Sequence, residues 1–301
     1  MSLLVTGTIG IDTLTTPFGQ ADDVLGGSAV HFSFAASLFS PVRLVGVVGS
    51  DFPEKFRRML AERDIDLAGL EIRAAGKTFR WSGRYVGDMH DAETTQIALN
   101  VIAEAPPKIP PVFRDTPCVF LAATDPDLQQ DFIRQCTGAK LIVADTRDLW
   151  IHTRRDSLAA LLAKVHGAIM NDGEARLLTG ETNLILAGRK VLSCGPRFVV
   201  IKKGEHGAML VTAERVFVLP AYPTTEVRDP TGAGDSFAGG MMGYLAARGS
   251  HEFPELKRAL VRGTITASYT IEDFGVNRIR SVSTADIDTR LREYAEAMRF
   301  D

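Results

Sequence analysis

The strongest constraint on the fold of this 301-residue chain is a regular alternation of short, nearly all-apolar runs with segments of helical spacing. Strands buried on both faces of a parallel sheet have this continuous apolar character. Intervening stretches such as AVHFSFAASLF and DLQQDFIRQC repeat apolar residues with a helical period. The alternation predicts an α/β fold with a doubly wound, mostly parallel sheet flanked by helices. The apolar runs are residues 3–6, 42–48, 118–122, 141–144, 168–170 and 198–202.

Two segments do not follow this alternation. Residues 9–25 and 71–101 carry extended polar–apolar patterns without a convincing helix between strands. A period of two is typical of strands with one buried face. We therefore expect a single domain over residues 1–301, with these two segments inserted in it as a small separate sheet. After residue 220 the chain becomes mostly helical, with helices predicted near 235–247, 252–268 and 284–298.

Composition excludes several classes of protein. The net charge is −3 and no long basic run occurs, which argues against a nucleic-acid partner. Cys118, Cys136 and Cys194 are widely spaced and form no C-x-x-C pair, so neither a zinc site nor a disulfide framework is expected. No basic leader occurs, and no apolar run reaches the roughly 18 residues of a membrane span. We expect a soluble cytoplasmic protein with no membrane partner.

The most distinctive local feature is the glycine-rich string DPTGAGDSFAGG, residues 229–240. It fails the dinucleotide pattern G-x-G-x-x-G because Phe237 replaces the last glycine, and it fails the Walker pattern because Gly240 replaces the lysine. Its small residues instead run directly into a helical pattern, where free backbone N–H groups favour an anion. Asp235 falls at the cap or first turn of that helix. The alternative is that Asp235 only caps the helix.

The whole string resembles the C-terminal signature D-T-x-G-A-G-D-x-F of the ribokinase-like (PfkB-type) carbohydrate kinases. Pro230 stands where threonine is common. A second family motif is matched by LGGSAVHFSFAASLF followed by RLVGVVGSDFPEKF, and the resemblance spans residues 3 to about 280. It implies a ribokinase-like kinase that uses ATP and Mg²⁺. It also implies that the small sheet is a lid over the sugar, and that two lids can pair to form a homodimer.

The resemblance assigns roles on the phosphate side. Asp235 takes the proton of the attacking hydroxyl as general base, and the backbone N–H groups of Gly232, Ala233 and Gly234 form an anion hole. Asn171 and Glu174 match a motif that places Mg²⁺, often through water, although Asn171 would also cap the following helix well.

Further residues match the nucleotide and cation sites of the family. The alternative is that Gly204 and Gly207 only form a plain β-turn. The residues implied to lie near the nucleotide are Lys202, Gly204, Gly207 and Thr231. Asp229 and Gly275 match positions around a monovalent cation such as K⁺.

On the acceptor side, Asp12 matches the aspartate that binds sugar hydroxyls, and Gly26 and Gly27 match a glycine pair that lets the backbone approach the ring. His31 stands where ribokinase-type members commonly have an asparagine that contacts substrate. A histidine at this position argues against ribose itself as the substrate. The alternative is a helical His31 buried beneath the lid without touching ligand.

The predicted lid strand in GKTFRWSGRY (76–85) decides between acceptors. Phe79, Trp81 and Tyr85 share one face. They either pack on the main domain or on a partner's lid, or they stack on a sugar or base. Arg80 and Arg84 share the other face and either bind a phosphorylated acceptor or remain solvated. The leading hypothesis is a kinase that phosphorylates a hydroxymethyl group of a sugar or sugar-like alcohol. A nucleoside kinase, a sugar-phosphate kinase and a non-catalytic ligand sensor remain as alternatives.

Overall fold

The computed structural model describes residues 1–300, and this part of the chain folds into thirteen strands and eleven α-helices. The strands β1 to β13 are Leu3–Thr6, Gly10–Thr16, Gly19–Gly26, Val42–Gly49, Ile65–Arg73, Phe79–Tyr85, Ala92–Ala98, Cys118–Leu121, Leu141–Asp145, Gly167–Asn171, Phe198–Lys202, Ala208–Thr212 and Val216–Leu219. The helices α1 to α11 are Ser28–Ala36, Glu54–Ala61, Pro126–Gln135, Asp148–Thr153, Arg155–Leu162, Asp172–Thr179, Leu184–Leu192, Ala233–Arg248, Phe253–Thr270, Asn277–Ser281 and Thr284–Ala297. Short 3₁₀ turns cover Asn100–Ala103, Pro111–Phe113 and Gly204–His206.

The main sheet has nine strands in the order β13-β12-β11-β10-β9-β8-β1-β4-β5. All neighbours from β5 to β11 pair in parallel, whereas β12 and β13 add an antiparallel edge. The prediction of a mostly parallel α/β sheet is confirmed, and every predicted apolar run is one of its strands. The edge strand β5 has no continuous apolar run because many of its side chains are exposed.

Helices cover both faces of this sheet, and alternate residues of one strand enter different cores. Leu3 and Val5 pack into a cluster with residues of α1, α8 and α9, whereas Leu4 packs on the opposite side with residues of α5 and α7. On the first side, the rings of Phe32 and Phe120 stack with centroids 4.3 Å apart. Full burial of each such side chain contributes about 1.5–3 kcal/mol.

Close packing of α1 against α8 depends on two glycines of α8. A Cβ on Gly239 would collide with the carbonyl oxygen of Phe32, and one on Gly243 would lie 2.7 Å from the carbonyl oxygen of Ala36. The two glycines are four residues apart and therefore lie on one face of the helix. They explain part of the glycine density that follows Asp235.

The four-stranded small sheet has the order β3-β2-β6-β7. Its first two strands fall in the segment 9–25 and its last two in the segment 71–101, except that Gly26 ends β3. Residues 71–73 belong to β5 of the main sheet instead. Among residues 1–300, no helix has the length and apolar character that a membrane span requires.

Candidate active site

Helix α8 begins immediately after the glycine-rich turn. Gly232 is its N-cap and has φ 74° and ψ 2°, a left-handed conformation that favours glycine. The Ala233 amide donates to the Pro230 carbonyl (3.2 Å), which closes a four-residue turn with Gly232 at its third position. Asp235 lies in the first turn of the helix and makes no side-chain hydrogen bond to residues 1–300. Its carboxylate is therefore not used as a helix cap.

The backbone N–H groups of the turn are not equivalent. The amides of Gly232 and Gly234 find no acceptor among residues 1–300, whereas that of Ala233 is engaged by Pro230. The sequence expectation of three free amides therefore differs from the structure at Ala233. The turn that gives Gly232 its left-handed conformation also occupies this amide.

Three polar residues stand at the carboxyl ends of neighbouring parallel strands: Asp145 on β9, Asn171 on β10 and Lys202 on β11. The Lys202 ammonium pairs with an Asp145 carboxylate oxygen at 2.9 Å, and their side chains are 18% and 4% exposed. Lys202 Nζ also lies 3.1 Å from the position that a Cβ on Gly234 would take. A largely buried cation therefore lies directly against the glycine-rich turn.

The charges of this group shift several pKa values. Burial alone would lower the pKa of Lys202, but the negative charges of Asp145 and Glu174 hold it above its ordinary value. Burial raises the pKa of Asp235 to about 6, although the Lys202 charge opposes the rise. Asp235 is thus a base whose pKa lies near neutral pH.

Asn171 and Glu174 form a complete capping box at the start of α6. The Glu174 amide donates to Asn171 Oδ1 (2.7 Å), and the Asn171 amide donates to Glu174 Oε2 (2.7 Å). Burial and the charge of Asp145 raise the pKa of Glu174. Asn171 therefore caps the helix, as the alternative interpretation predicted. One Glu174 carboxylate oxygen takes no part in the capping box. Within residues 1–300 no three His, Cys, Asp or Glu side chains cluster as a metal cage.

On the acceptor side, Asp12 of β2 is 3% exposed, and its carboxylate occupies the space where a Cβ on Gly26 would lie. This close approach requires a glycine at position 26. Gly27 is the N-cap of α1. Burial, followed by the negative charges of Asp229 and Asp235, raises the pKa of Asp12 to about 7. The charges of Asp12 and Asp235 are therefore close enough to influence each other.

His31 of α1 lies directly beneath the glycine-rich turn. Its ring fills the space that a side chain on Gly232 would need, and the residue is 1% exposed. Burial lowers its pKa to about 4, so it is neutral at pH 7. Both ring nitrogens, and Oδ1 of Asp12, are buried without a hydrogen-bond partner among residues 1–300. Unpaired buried polar atoms are costly, and a ligand is one way to satisfy them.

The residues predicted near a monovalent cation come together. Asp229 is fully buried, and its two carboxylate oxygens accept from the amides of Thr231 and Gly275, both at 2.9 Å. These hydrogen bonds fix the turn to the segment that follows α9. They give Asp229 a structural role that does not need an ion.

The two predicted nucleotide-side glycines lie in the turn after β11. Gly204 and Gly207 have φ of 54° and 84°. A Cβ on Gly207 would collide with the Leu219 carbonyl oxygen, so this glycine serves the packing of β13. The β-turn alternative therefore has structural support. Lys202, by contrast, lies with Gly234 and Asp145.

The two faces of β6 have different environments. Phe79 packs over Gly10, the Trp81 ring covers Gly83, and Trp81 Nε1 donates to Thr94 Oγ1 (3.1 Å). On the opposite face, the exposed Arg80 and Arg84 form ion pairs with other residues of the small sheet. The pairs are Arg80–Asp23 at 2.6 Å and Arg84–Glu93 at 2.8 Å.

Sequence reasoning missed Asp145 and Arg147, and it did not foresee that Tyr85 of the lid strand contacts Thr231. Asp145 binds Lys202, and Tyr85 reaches the hydroxyl of Thr231 at 3.1 Å. Arg147 is exposed, forms no ion pair within residues 1–300, and its positive charge acts on Asp235. The available signal was an acidic residue directly after the apolar run LIVA, at a strand end where parallel α/β sheets bind ligands.

Comparisons with known proteins identify the family and the fold of this chain. Residues 122–282 match the family described as pfkB family carbohydrate kinase. The cytidine kinase of Thermococcus kodakarensis is 31% identical over 256 residues, covering 82% of this chain and 90% of that protein. The fructokinase of Klebsiella pneumoniae is 26% identical over 263 residues, covering 81% of this chain and 84% of that protein. A structure described as a ribokinase II of Escherichia coli, solved with ATP and Mg²⁺, has a TM-score of 0.78 at 19% identity and covers 97% of this chain and 99% of its own.

The fold is therefore of the ribokinase type, with a large sheet, flanking helices and a smaller separate sheet. The chain belongs to the pfkB family of carbohydrate kinases. It is a phosphotransferase whose acceptor is an alcohol.

Proposed function

We propose that this protein transfers the γ-phosphate of ATP to a hydroxymethyl group of a sugar or sugar-like alcohol. Asp235 removes the proton of the attacking hydroxyl. The amides of Gly232 and Gly234 stabilise the negative charge of the transferring phosphoryl group, and Ala233 joins them if its hydrogen bond to Pro230 opens.

The uncommitted carboxylate of Asp235 carries this proposal. It stands in the first turn of α8 directly after two unpaired amides, with a pKa raised to about 6. A base of this kind is mostly ionised at pH 7 and still able to accept a proton. The helix N-terminus adds a favourable field for an anion at the same place.

Lys202 supplies a positive charge beside this turn. Phosphoryl transfer depends mainly on positioning and on neutralising the charge of the phosphate oxygens. Lys202, held by Asp145, is suited to that task from beneath Gly234. ATP supplies the phosphoryl group, and Mg²⁺ would neutralise its phosphates. Glu174 and Asn171 would hold Mg²⁺ through water, since their capping box leaves them few free oxygens.

The unpartnered atoms of Asp12 and His31 describe the acceptor. Ionised Asp12 accepts hydrogen bonds only, and neutral His31 offers one donor and one acceptor. Vicinal hydroxyls of a sugar ring satisfy this set without any charge on the acceptor. The small sheet that carries Asp12 would act as the lid over that sugar.

A nucleoside is the second candidate, because the cytidine kinase relative is 31% identical over most of both chains. A sugar phosphate fits less well. Arg80 and Arg84 are paired with carboxylates on the exposed face of β6, opposite to the face that carries Trp81 beside Asp12.

The experiment is an acceptor panel assayed with ATP and Mg²⁺ for both ADP and phosphorylated product. Cytidine, uridine, ribose, fructose and fructose 6-phosphate distinguish the candidates, and Asp235→Asn is run beside the wild type. We expect turnover with a nucleoside or a free sugar that is lost in the variant. Near-normal turnover by Asp235→Asn would overturn the assignment of the base. Tight binding of one compound without any turnover would instead support a ligand sensor.

A further inference from the structure

The hairpin of β6 and β7 reaches from the small sheet to the phosphate side of the cleft at two points. Tyr85, the last residue of β6, is 8% exposed, and its hydroxyl accepts a hydrogen bond from the Thr231 hydroxyl (3.1 Å). Further along the hairpin, the His90 ring lies 3.3 Å from the position that a Cβ on Gly204 would take. Both predicted phosphate-side loops are therefore in contact with the same hairpin.

Thr231 is held from the other side by the main domain. Its amide donates to Asp229 Oδ1, and the second oxygen of Asp229 accepts from the Gly275 amide, so the backbone on this side is anchored. Thr231 is also the second residue of the Pro230–Ala233 turn and precedes Gly232 directly. A shift of the Thr231 side chain would therefore also move the turn that presents the free amides of Gly232 and Gly234.

The hydrogen bond of the Tyr85 hydroxyl does not depend on pH within the physiological range. Burial raises the pKa of Tyr85 to about 12, so the phenol is neutral throughout the physiological range. The hydrogen bond joins residues 146 positions apart in the chain and links the small sheet to the turn before α8. It exists only while the small sheet lies against the main domain.

We propose that Tyr85 is a positioning residue for phosphoryl transfer: its hydrogen bond to Thr231 sets the Pro230–Ala233 turn when the small sheet is closed. The free amides of Gly232 and Gly234 are then in place only when the acceptor is enclosed. The enzyme thereby favours transfer to the bound hydroxyl over transfer to water. This inference rests on the proposed function, because it assumes that these amides bind the transferring phosphoryl group.

The kinetic test compares Tyr85→Phe, which keeps the ring, with Thr231→Val, Thr231→Ser and the double variant Tyr85→Phe/Thr231→Val. The acceptor is the compound of the panel above that the wild type converts fastest. Tyr222→Phe is the matched control, because it removes a tyrosine hydroxyl bonded to Glu293 at 2.8 Å on the exposed surface.

We expect Tyr85→Phe to lower kcat/KM for the acceptor about tenfold, to leave the KM for ATP within about twofold, and to raise the ADP formed per acceptor phosphorylated. Thr231→Ser keeps the hydroxyl and should retain most activity. The double variant should be no worse than the more impaired single variant, because both remove one hydrogen bond. Losses that multiply, or Tyr85→Phe behaving like Tyr222→Phe, would overturn the proposal.

Hydrogen exchange tests the same hydrogen bond without an acceptor. In the free protein, Tyr85→Phe should speed exchange in the peptide 229–236, and Thr231→Val should speed it in the peptide 79–98. A change confined to the peptide that carries the substitution would refute the coupling. If Asp235→Asn is inactive while Tyr85→Phe is normal, only this inference fails. If Asp235→Asn is active, the proposed function fails, and reciprocal exchange still decides whether the hydrogen bond exists.

Discussion

The two sides of the cleft differ in how completely their polar groups are paired before any ligand is present. On the phosphate side, Lys202 is bound by Asp145, and Asn171 and Glu174 satisfy each other. On the acceptor side, Asp12 Oδ1 and both nitrogens of His31 are buried without a partner among residues 1–300. We therefore expect the phosphate side to be organised before any ligand binds and the acceptor side to be completed by its ligand. Each side can therefore be tested by the kind of loss that its substitutions cause.

The largest effect is expected from Asp235→Asn, which should lower kcat about a thousandfold while leaving acceptor affinity nearly unchanged. The amide keeps the size of the side chain but cannot take the proton. Single-turnover kinetics and calorimetric binding measure the two quantities. Asp288→Asn on α11 is the control, because the Asp288 side chain is exposed and is not one of the predicted site residues. A loss of binding equal to the loss of rate would erase the contrast between the two sides.

Lys202→Met comes next and should lower kcat about a hundredfold, because a largely buried cation beside the anion-binding turn is lost. Lys202 also restrains the rise in the Asp235 pKa, so the acid limb of the pH–rate profile should move to higher pH. Lys140→Met serves as a surface control. An unshifted acid limb would separate Lys202 from Asp235.

Asp12→Asn acts on the opposite side and should raise the KM for the acceptor about thirtyfold with a smaller change in kcat. The carboxylate accepts hydrogen bonds from hydroxyl donors, and charged hydrogen bonds are stronger than neutral ones. Steady-state kinetics with varied acceptor at saturating ATP measure the change. An effect confined to kcat would place Asp12 in the chemical step instead.

The pH dependence should show both carboxylates. The expected kcat/KM for the acceptor falls as pH drops below about 7, where Asp12 takes up a proton, and falls more steeply below about 6, where Asp235 does. With both protonations, each further unit costs about tenfold per group. In Asp12→Asn the limb near 7 should disappear and that near 6 should remain. A profile that is the same in both proteins would contradict this assignment.

The smallest expected effect is on stability. The pKa of folded Asp12, about 7, exceeds the ordinary value of 3.8, so ionised Asp12 destabilises the fold above pH 7. This cost declines as pH falls through 7 and is absent below about 4. Asp12→Asn should therefore raise the free energy of unfolding by about 2 kcal/mol at pH 8 and by little at pH 4. Urea unfolding at both pH values measures it, and an equal gain at both would point to another cause.

The sequence predicted the parts of this molecule that depend on local pattern. Buried parallel strands are continuous apolar runs, and the turn before Asp235 is a short glycine-rich string, so both could be read without coordinates. The edge strand β5 could not, because its exposed side chains give no such run. Contacts between distant positions were also inaccessible: Asp145 and Lys202 are 57 residues apart, and Tyr85 and Thr231 are 146 apart. Only the tertiary fold brings them together.

The close packing of α1 against α8 limits which substitutions this protein can accept. His31 stands on one helix and Asp235 on the other, and Gly239 and Gly243 let the two backbones touch. Any larger residue at either glycine would push the two helices apart and move His31 and Asp235 together. The strands of the small sheet contain neither glycine, so substitutions there leave the backbone contact between α1 and α8 in place. We therefore expect Gly239 and Gly243 to tolerate substitution less well than the strands of the small sheet.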